Sequence, residues 1–313
     1  MFLISGCLNA IFYYLKERFS PKQIIKVELS IFVFLRHLKN LFFMPPFAIF
    51  RSEQPVWIAE TNQICSAVDN ISTEIPVALV YNGIAHAVLM ATPQHLPELA
   101  LGFSLSEGIV VSGSQIYDIN VVEEENGLVI NIELAAEAFS RLKNRRRNMG
   151  GRSGCGLCGL ESLAAVKPAL PKLTRGAPVS LSAVRRALLQ FDDCQPLRAQ
   201  TGSVHAAAWV DHLGNIQAAF EDVGRHNALD KLIGHLVRRN DNCQLGFVLI
   251  SSRAGFEMVV KAATAGIGCV VAVSAPTAYA IDLAEEAGIT LIGFARTKRQ
   301  VVYSHPEYLL LND

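Results

Sequence analysis

The sequence has no net charge, few charged residues and no long uninterrupted apolar run. Its 313 residues include 28 basic and 28 acidic side chains, and only 18% of residues are charged. This composition excludes a disordered polyelectrolyte. The neutral balance also argues against a protein that coats nucleic acid through bulk electrostatic attraction. An apolar fraction of 51% over this length is enough to build one large or two modest domains.

Paired cysteines are also scarce. There are seven cysteines, an odd number for a chain of this length. A small secreted domain held by disulfides normally has an even set at short spacings. The count therefore favours a reducing compartment and predicts a cytoplasmic protein.

Residues 1–43 differ in composition from the rest of the chain. They contain 7 of the 16 phenylalanines but only one of the 22 glycines. Their two apolar runs, Phe2–Leu15 and Leu29–Leu35, are shorter than the roughly 20 residues that cross a bilayer. One interpretation is an amphipathic anchor on a membrane surface. The preferred one is a disordered or spurious extension before Met44, because the periodicity is weak and capping residues are absent. We expect no stable membrane insertion.

A regular pattern of elements begins at Glu74. Glu74–Asn82 is predicted to be a strand that turns at Asn82-Gly83 into a second strand, Ala85–Ala91. Thr92 and Pro93 then resemble a helix N-cap and first helical residue, with the helix running to Glu107. The next predicted elements are strands Ile116–Val122 and Leu128–Leu134 and helix Ala136–Met149. We expect residues 44–178 to form an N-terminal α+β subdomain that ends in a cysteine-containing loop.

The second half alternates between helices and apolar strands. The predicted helices are Ser182–Phe191, His226–Arg239, Gly255–Ala265 and Thr277–Ala287, and the predicted strands are His205–Val210, Ile216–Phe220, Phe247–Ser251, Cys269–Ser274 and Thr290–Phe294. The strands after Gly246 are continuously apolar, which is typical of strands covered on both faces. Residues 179–313 are therefore predicted to be an α/β/α domain.

The most distinctive chemical motif is Gly150–Gly159, GGRSGCGLCG. The motif contains Cys155 and Cys158 in a C-x-x-C spacing, together with five glycines. Four arginines lie nearby in sequence, at 145–147 and 152. Cations beside a thiol favour the thiolate, which is the nucleophilic form. Glycines allow the backbone to move, so Cys155 could carry a group as a thioester, disulfide or persulfide.

Other interpretations of the Cys155–Cys158 pair remain open. A structural zinc site needs four ligands and would have to recruit His205 or His226, since the other cysteines are single and widely spaced. A thioredoxin-like pair would lie between a strand and a helix, whereas this pair follows a helix. Incidental cysteines in a glycine loop are the third possibility, against which the surrounding glycines and arginines argue.

Four further segments follow predicted strands, where functional residues of α/β folds collect. They are Glu221–Lys231 (EDVGRHNALDK), Ser251–Gly255 (SSRAG), Ser274–Thr277 (SAPT) and Phe294–Arg299 (FARTKR). In the first, His226 and Asp230 are four apart on one helical face, which suits either proton transfer or a packed histidine beside surface pairs. SSRAG, with Arg253, could hold an anion at a helix start, although ordinary capping is the favoured interpretation of this segment and of SAPT. The cations of the last segment could bind phosphates in the crevice at the strand ends. The alternative is that they belong to a charged turn exposed to solvent.

These segments together resemble the FdhD family of accessory sulfurtransferases for formate dehydrogenase. The resemblance extends from about Glu74 to Pro306 and rests on an ordered set of motifs. They are IPVALVYNGIAH, LALGFSLSEGI, GRSGCGLCG, TGSVHAAAW, EDVGRHNALDK, SSRAGFEM, SAPT and TLIGFAR followed by VYSHP. One C-x-x-C pair would be a weak signal, but the ordered set is specific.

The resemblance implies a fold and a function. Its fold is a cytidine-deaminase-like α/β/α sandwich, and its members are usually homodimers. Such proteins accept sulfur from a cysteine desulfurase as a persulfide, here on Cys155 with Cys158 as the supporting thiol. They pass that sulfur to the molybdenum cofactor, a bis-guanine-dinucleotide molybdopterin, for formate dehydrogenase. The residues implied to contact this cofactor are Phe294, Ala295, Arg296, Thr297, Lys298 and Arg299.

Two alternatives come from other functional classes. A zinc nucleobase deaminase needs H-x-E followed by P-C-x-x-C. Here glycine precedes Cys155, and the H-x-E at His305–Glu307 comes after the cysteines, so the order is wrong. A non-catalytic chaperone that only holds the cofactor would not depend on Cys155.

Overall fold

The computed structural model describes residues 50–60, 63–147, 170–173 and 176–311. The predictions for residues 1–43 and for the cysteine loop lie outside these residues. Residues Phe47–Asp313 form one compact unit. Among the described helices, none combines the length and the apolar character needed to cross a bilayer.

An antiparallel ribbon of two strands precedes the predicted pattern. Strand β1 (Phe50–Glu60) pairs only with strand β2 (Gln63–Ser72) in the described sheets. The sequence pattern did not predict this ribbon. Most of its described side chains are exposed, and polar residues mix with apolar ones on both strands, so the ribbon lacks the alternation by which a half-buried strand is found.

A four-stranded sheet follows, in the order β4-β3-β6-β5. Its strands are β3 (Ile75–Tyr81), β4 (Ile84–Ala91), β5 (Ile116–Glu124) and β6 (Gly127–Leu134). Helices α1 (Leu96–Ser106) and α2 (Ala136–Arg147) cover one face, where alternate residues of β3 and β6 are buried. These elements confirm the predicted ones to within a few residues. The last two residues predicted for α2 lie outside the described chain.

The predicted start of α1 is wrong. The N-cap is His95, in a left-handed conformation with φ 53°, and proline occupies the first turn. Thr92 lies four residues before the helix and is fully buried. Its backbone N–H donates to the side chain of Asp222, and its side-chain oxygen accepts from the N–H of Val223. Thr92 therefore uses its polar groups in tertiary hydrogen bonds, although the local sequence predicts it as the N-cap of α1.

The remaining strands form two sheets. The larger has six strands in the order β13-β12-β11-β10-β8-β9, and the smaller pairs β14 with β7. In chain order the remaining elements are β7 (Val179–Ser180), α3 (Leu181–Gln190), α4 (Pro196–Thr201), β8 (His205–Asp211), β9 (Ile216–Asp222), α5 (Arg225–Arg239), β10 (Gly246–Ile250), α6 (Phe256–Thr264), β11 (Cys269–Ala272), α7 (Ala278–Ala287), β12 (Thr290–Arg296), β13 (Arg299–Ser304) and β14 (Leu309–Leu310). Strands β10, β11 and β12 are parallel. Strand β8 pairs antiparallel with β10, β9 with β8, and β13 with β12.

Helices cover both faces of this sheet. Val248 and Ile250 of β10 point into a core shared with α5, α6 and α7, whereas Phe247 and Leu249 point into a core shared with α3. The expected α/β architecture with doubly covered strands is confirmed. The short elements α4, β7, β13 and β14 were not predicted, since runs of two to six residues give little periodic signal.

Glycines allow α1 and α5 to pack at close range. A methyl group on Gly102 of α1 would overlap the backbone of Asp230, and one on Gly234 of α5 would overlap the backbone of Glu98. This crossing joins the four-stranded sheet to the six-stranded sheet, because α1 packs on the first and α5 on the second.

Candidate functional site

The strand directions bring the predicted motifs to one edge of the six-stranded sheet. Parallel strands β10, β11 and β12 place their carboxyl ends together. Strand β8 runs antiparallel to β10, so its first residue, His205, lies at the same edge. His205 is paired with Asp222, the last residue of β9, which brings the EDVGRHNALDK segment there as well. We call this side of the sheet the carboxyl edge.

Backbone hydrogen bonds hold three of these loops side by side. In the SSRAG loop, Ala254 N–H donates to the oxygen of Ala275 at 3.2 Å, and Thr277 N–H returns a bond to the oxygen of Ala254 at 3.1 Å. Phe294 N–H donates to the oxygen of Ser274 at 3.1 Å. Thr277 occupies the N-cap position of α7, but its side chain makes no capping bond. The loops thus form one continuous backbone surface.

The segment Phe294–Arg299 is a tight hairpin between β12 and β13. Phe294 has a left-handed φ of 49°, and its side chain is 44% exposed. Ala295 is buried beneath it. Thr297 and Lys298 form the two-residue turn, and both are exposed, as is Arg299. The cations predicted to follow the last core strand therefore lie on a projecting turn at the carboxyl edge.

Arg296 is oriented by the chain beneath it. Its Nη1 donates to the backbone oxygen of Val273 at 2.6 Å and to that of Ala295 at 2.8 Å. The guanidinium therefore loses less conformational freedom when it binds an anion than a freely rotating lysine would. The Arg296 guanidinium still has other N–H groups that can donate to a phosphate.

A cluster of Arg225, His226 and Glu257 lies beside the strand ends. His226 Nε2 is 2.7 Å from Glu257 Oε2, and Arg225 Nη2 is 3.6 Å from the same oxygen. Burial opposes ionisation of Glu257. The hydrogen bond and charge of His226, with the charges of Arg225 and Lys261, outweigh that effect and keep the pKa of Glu257 below its usual value. Glu257 belongs to the SSRAGFEM motif, but its residue type and position alone did not predict a functional role.

Cations outweigh the one carboxylate near His205. Burial lowers its pKa, the positive charges of Arg225, Arg198 and His226 lower it further, and the charge of Asp222 offsets part of the shift. A ring with a lowered pKa is more often neutral near pH 7, so it can accept a proton or a hydrogen bond at one nitrogen.

Other polar residues of EDVGRHNALDK are structural. Asp222 accepts bonds from Gly224 N–H at 2.8 Å and from Asn227 Nδ2 at 3.0 Å. Glu221 accepts from the first backbone N–H groups of α4, at Leu197 and Arg198. These bonds shape the loop before α5.

Asp230 shares a helix with His226 but contacts different partners. It binds Lys261 Nζ at 3.0 Å and Ser106 Oγ at 2.7 Å in a buried network. The pairing of His226 and Asp230 considered from their spacing is therefore not formed, because α5 presents them to different neighbours.

Burial disfavours the thiolate at three of the described cysteines. Burial raises the pKa of Cys243 to about 11 and that of Cys269 to about 12, and it also raises the pKa of Cys194. Cys155 and Cys158 lie outside the described residues. Within the described part of the chain, no three His, Cys, Asp or Glu side chains cluster as a metal site would require.

Comparisons with known proteins agree on one family. Residues 72–310 match the model of the FdhD/NarQ family. The chain is 51% identical over 241 residues to a protein named sulfur carrier protein FdhD from Cupriavidus necator, covering 77% of this chain and 84% of that one. A protein of the same name from Bordetella petrii is 50% identical over 243 residues, covering 78% and 87%.

A structural comparison supports the same fold. The crystal structure of a candidate formate dehydrogenase accessory protein from Desulfotalea psychrophila superposes with a TM-score of 0.66 at 22% sequence identity. The match covers 84% of this chain and all of that one.

Proposed function

The chain belongs to the FdhD/NarQ family, and we propose that it is a sulfur carrier that serves formate dehydrogenase. In this proposal it accepts sulfur from a cysteine desulfurase as a persulfide on Cys155. It then transfers that sulfur to the molybdenum cofactor, a bis-guanine-dinucleotide molybdopterin, which is its bound substrate. The observation that carries the proposal is the half-identical match to sulfur carrier proteins over most of the chain.

The first step is a persulfide exchange. The Cys155 thiolate attacks the outer sulfur of the desulfurase persulfide, and the desulfurase cysteine leaves as a thiolate. The step conserves electrons, since one S–S bond breaks as another forms. The described cysteines support the assignment to Cys155, because burial raises the pKa of three of them and makes the thiolate scarce.

Cys158 supplies the electrons for the second step. Its thiol loses a proton and attacks the inner sulfur of the Cys155 persulfide, forming a disulfide and releasing the outer sulfur as hydrosulfide for the metal. The cysteines are oxidised by two electrons and the transferred sulfur is reduced by two. A thiol reductant then restores the pair, which requires a reducing compartment and supports the proposed cytoplasmic location.

The hairpin Phe294–Arg299 is the proposed binding segment for the cofactor substrate. Arg296 is pre-oriented by two backbone oxygens, and Lys298 and Arg299 are exposed beside it. These cations suit the phosphates of a guanine dinucleotide. The exposed ring of Phe294 offers a face on which a base could stack. The proposed assembly is a homodimer that binds no nucleic acid.

Intact-mass spectrometry tests the persulfide. After incubation with a cysteine desulfurase and cysteine, we expect a gain of one or more sulfur atoms that thiol reductant removes. Cys155→Ala should abolish the gain. Cys65→Ala is the matched control, because Cys65 is the exposed one among the described cysteines.

Formate dehydrogenase activity in cells that lack the accessory protein provides the second test. A Cys155→Ala protein that still restores full activity would favour a chaperone that holds the cofactor and would contradict the persulfide mechanism. One equivalent of tightly bound zinc on the Cys155–Cys158 pair would contradict it too, since metal-bound thiolates are unavailable for persulfide formation.

A further inference from the structure

The Arg225–His226–Glu257 cluster at the carboxyl edge takes part in no step of the proposed sulfur transfer described so far. His226 Nε2 is 2.7 Å from Glu257 Oε2. Although burial opposes it, the hydrogen bond and charge of His226 keep the pKa of Glu257 below its usual value, so the carboxylate is ionised. An ionised carboxylate only accepts hydrogen bonds, so the proton of this bond belongs to His226 Nε2. The other ring nitrogen, Nδ1, is left to exchange a proton with a substrate.

A carboxylate held against an imidazole in this way suits a general acid. The carboxylate fixes the orientation of the ring and stabilises its protonated form. The side chain of His226 is 29% exposed, whereas that of Glu257 is 19% exposed. The carboxylate is thus the more sheltered partner, and the ring remains within reach of a bound molecule.

The neighbouring charges distinguish His226 from His205. The groups that face His226 are Glu257 on α6, Arg225 on α5 and His205 on β8. The charges that act in turn on these neighbours are Lys261 on Glu257, and Arg198 and Asp222 on His205. Burial and nearby cations lower the pKa of His205, which is therefore mostly neutral near pH 7 and a poor source of protons. Of the two histidines, His226 is the one that has a carboxylate partner to hold its proton.

The cluster lies along the same edge as the proposed cofactor hairpin, Phe294–Arg299. The hairpin joins β12 to the outermost strand β13, whereas Arg225 and His226 follow β9 and Glu257 follows β10. Neighbouring strands are about 4.8 Å apart, so two to four strand spacings, roughly 10–19 Å, separate the hairpin from the cluster. The loops between them form a continuous backbone surface. A long substrate whose diphosphate lies on the hairpin therefore has room along this edge only toward the cluster.

We propose that His226, held by Glu257, is the acid that protonates the oxygen leaving molybdenum when sulfide replaces it. This role rests on the proposed transfer of sulfur to the cofactor and names the residue that supplies its proton. Hydrosulfide binds the metal, and a molybdenum–sulfur bond forms as a molybdenum–oxygen bond breaks. The oxo ligand leaves as water, with one proton from hydrosulfide and one from His226 Nδ1. Oxide and sulfide carry the same charge, so the metal neither gains nor loses electrons. Neutral His226 then regains a proton from solvent.

Hydrosulfide as the sulfur source separates this step from the cysteines. The full chain is mixed with sodium hydrosulfide and with bis-molybdopterin guanine dinucleotide that carries oxygen in place of its terminal sulfur. X-ray absorption of quenched samples at the molybdenum edge follows the conversion of molybdenum–oxygen to molybdenum–sulfur bonds. His226→Ala should slow this conversion by about 100-fold or more, the usual contribution of a general acid. Added imidazole should restore much of the rate, which it would not do for a residue that only supports the fold.

Glu257→Gln tests the positioning role of the carboxylate. The amide keeps a hydrogen-bond acceptor but loses the charge, so we expect the rate to fall about tenfold. The falling limb of the pH–rate profile should also move to lower pH, because the protonated ring loses its stabilising charge. His212→Ala is the matched control. His212 is exposed in the turn after β8, at the opposite edge of the sheet from His205, and its loss should leave the rate unchanged.

The outcomes separate this role from the sulfur-carrier function itself. Cys155→Ala should convert the cofactor at the normal rate in this assay, because hydrosulfide is supplied directly. Normal persulfide loading of His226→Ala would show that the variant is folded. A normal conversion rate in His226→Ala, a slow rate that imidazole does not restore, or an intact chain no faster than cofactor and hydrosulfide alone would overturn the role of His226. Failure of Cys155 to gain a persulfide would instead contradict the sulfur-carrier function.

Discussion

Lys231 Nζ lies 2.6 Å from Asp222 Oδ2, and both side chains are completely buried. The ammonium also donates to the backbone oxygens of Thr92 and Glu221. Asp222 in turn accepts from the N–H of Thr92 at 3.1 Å. This pair therefore joins the segment before α1 to the end of β9, and it holds the loop that leads into the Arg225–His226–Glu257 cluster.

Removing one member of this pair should strongly destabilise the fold. Lys231→Met or Asp222→Asn leaves the other group buried without its charged partner, and we expect a loss of about 3–5 kcal/mol in the free energy of unfolding. Urea denaturation measures it. Glu137→Gln is the control, because its pair with Arg141 lies on the surface of α2 and should contribute less than about 1 kcal/mol. Equal losses for buried and surface variants would contradict the structural role of Lys231.

Thr92 provides a test of tertiary bonding against helix capping. Its Oγ1 accepts from Val223 N–H at 3.2 Å. Thr92→Val removes that acceptor, so unfolding should become easier by about 1–3 kcal/mol. Thr92→Ser should recover most of the loss. Val223 amide hydrogen exchange should accelerate in the valine variant, whereas a capping role would instead affect the first amides of α1.

The close crossing of α1 and α5 should not tolerate side chains at its glycines. Gly102→Ala and Gly234→Ala would each overlap backbone atoms of the facing helix, and we expect losses of about 1–3 kcal/mol or more. Gly268→Ala is the comparison, because an added methyl there meets no atom within 4 Å. Thermal melts of the three variants measure the difference. A neutral Gly102→Ala protein would show that the helices can separate without cost.

Stability should fall as the pH drops below about 7, because two half-buried histidines resist protonation. Burial is the main cause of the lowered pKa of His205 and His235, aided by nearby arginines. The unfolded chain binds these protons near its ordinary pKa of about 6.5, before the folded chain does, so acid favours unfolding. The stability contributed by the two neutral histidines is present above about pH 6.5, and it is lost as the pH falls toward their lowered pKa values. His205→Asn and His235→Gln should each flatten the dependence in urea denaturation between pH 5.5 and 7.5.

We expect the cations of the Phe294–Arg299 hairpin to contribute unequally to the binding of guanosine diphosphate, used here as a probe. Arg296→Gln should weaken binding about tenfold, because a pre-oriented charged donor is lost. Lys298→Gln should have a smaller effect, since its side chain is exposed on the turn. Arg185→Gln, on the exposed side of α3, is the control. Isothermal calorimetry measures these affinities. Equal weakening by all three variants would indicate nonspecific attraction of the anion.

Most long elements followed from local patterns. The continuous apolar runs at β10 and β11 predicted strands with two covered faces, and alternate residues of β10 do enter two different cores. The C-x-x-C motif was identified from residue types alone. The β1–β2 ribbon was not predicted because polar and apolar residues mix on both strands, so no regular period of two marks it.

The grouping of motifs at one edge depended on strand direction. His205 and Phe294 are distant in sequence, yet antiparallel β8 and parallel β12 bring the start of one strand and the end of the other to the same edge. Glu257 was overlooked because a lone glutamate at a helix start is ordinarily explained by the helix dipole. Only its separation of 2.7 Å from His226 distinguishes it.

By itself, the sequence determined the α/β class, the order of the long elements and the family, because each rests on local periodicity or on ordered motifs. The tertiary structure decided which polar residues are structural and which are available. Thr92 and Asp222 are bound within the fold, whereas Arg296 presents a held guanidinium at the carboxyl edge. These assignments depend on contacts between residues far apart in the chain. Local propensity does not encode such contacts, because packing selects them only after the helices and strands have assembled.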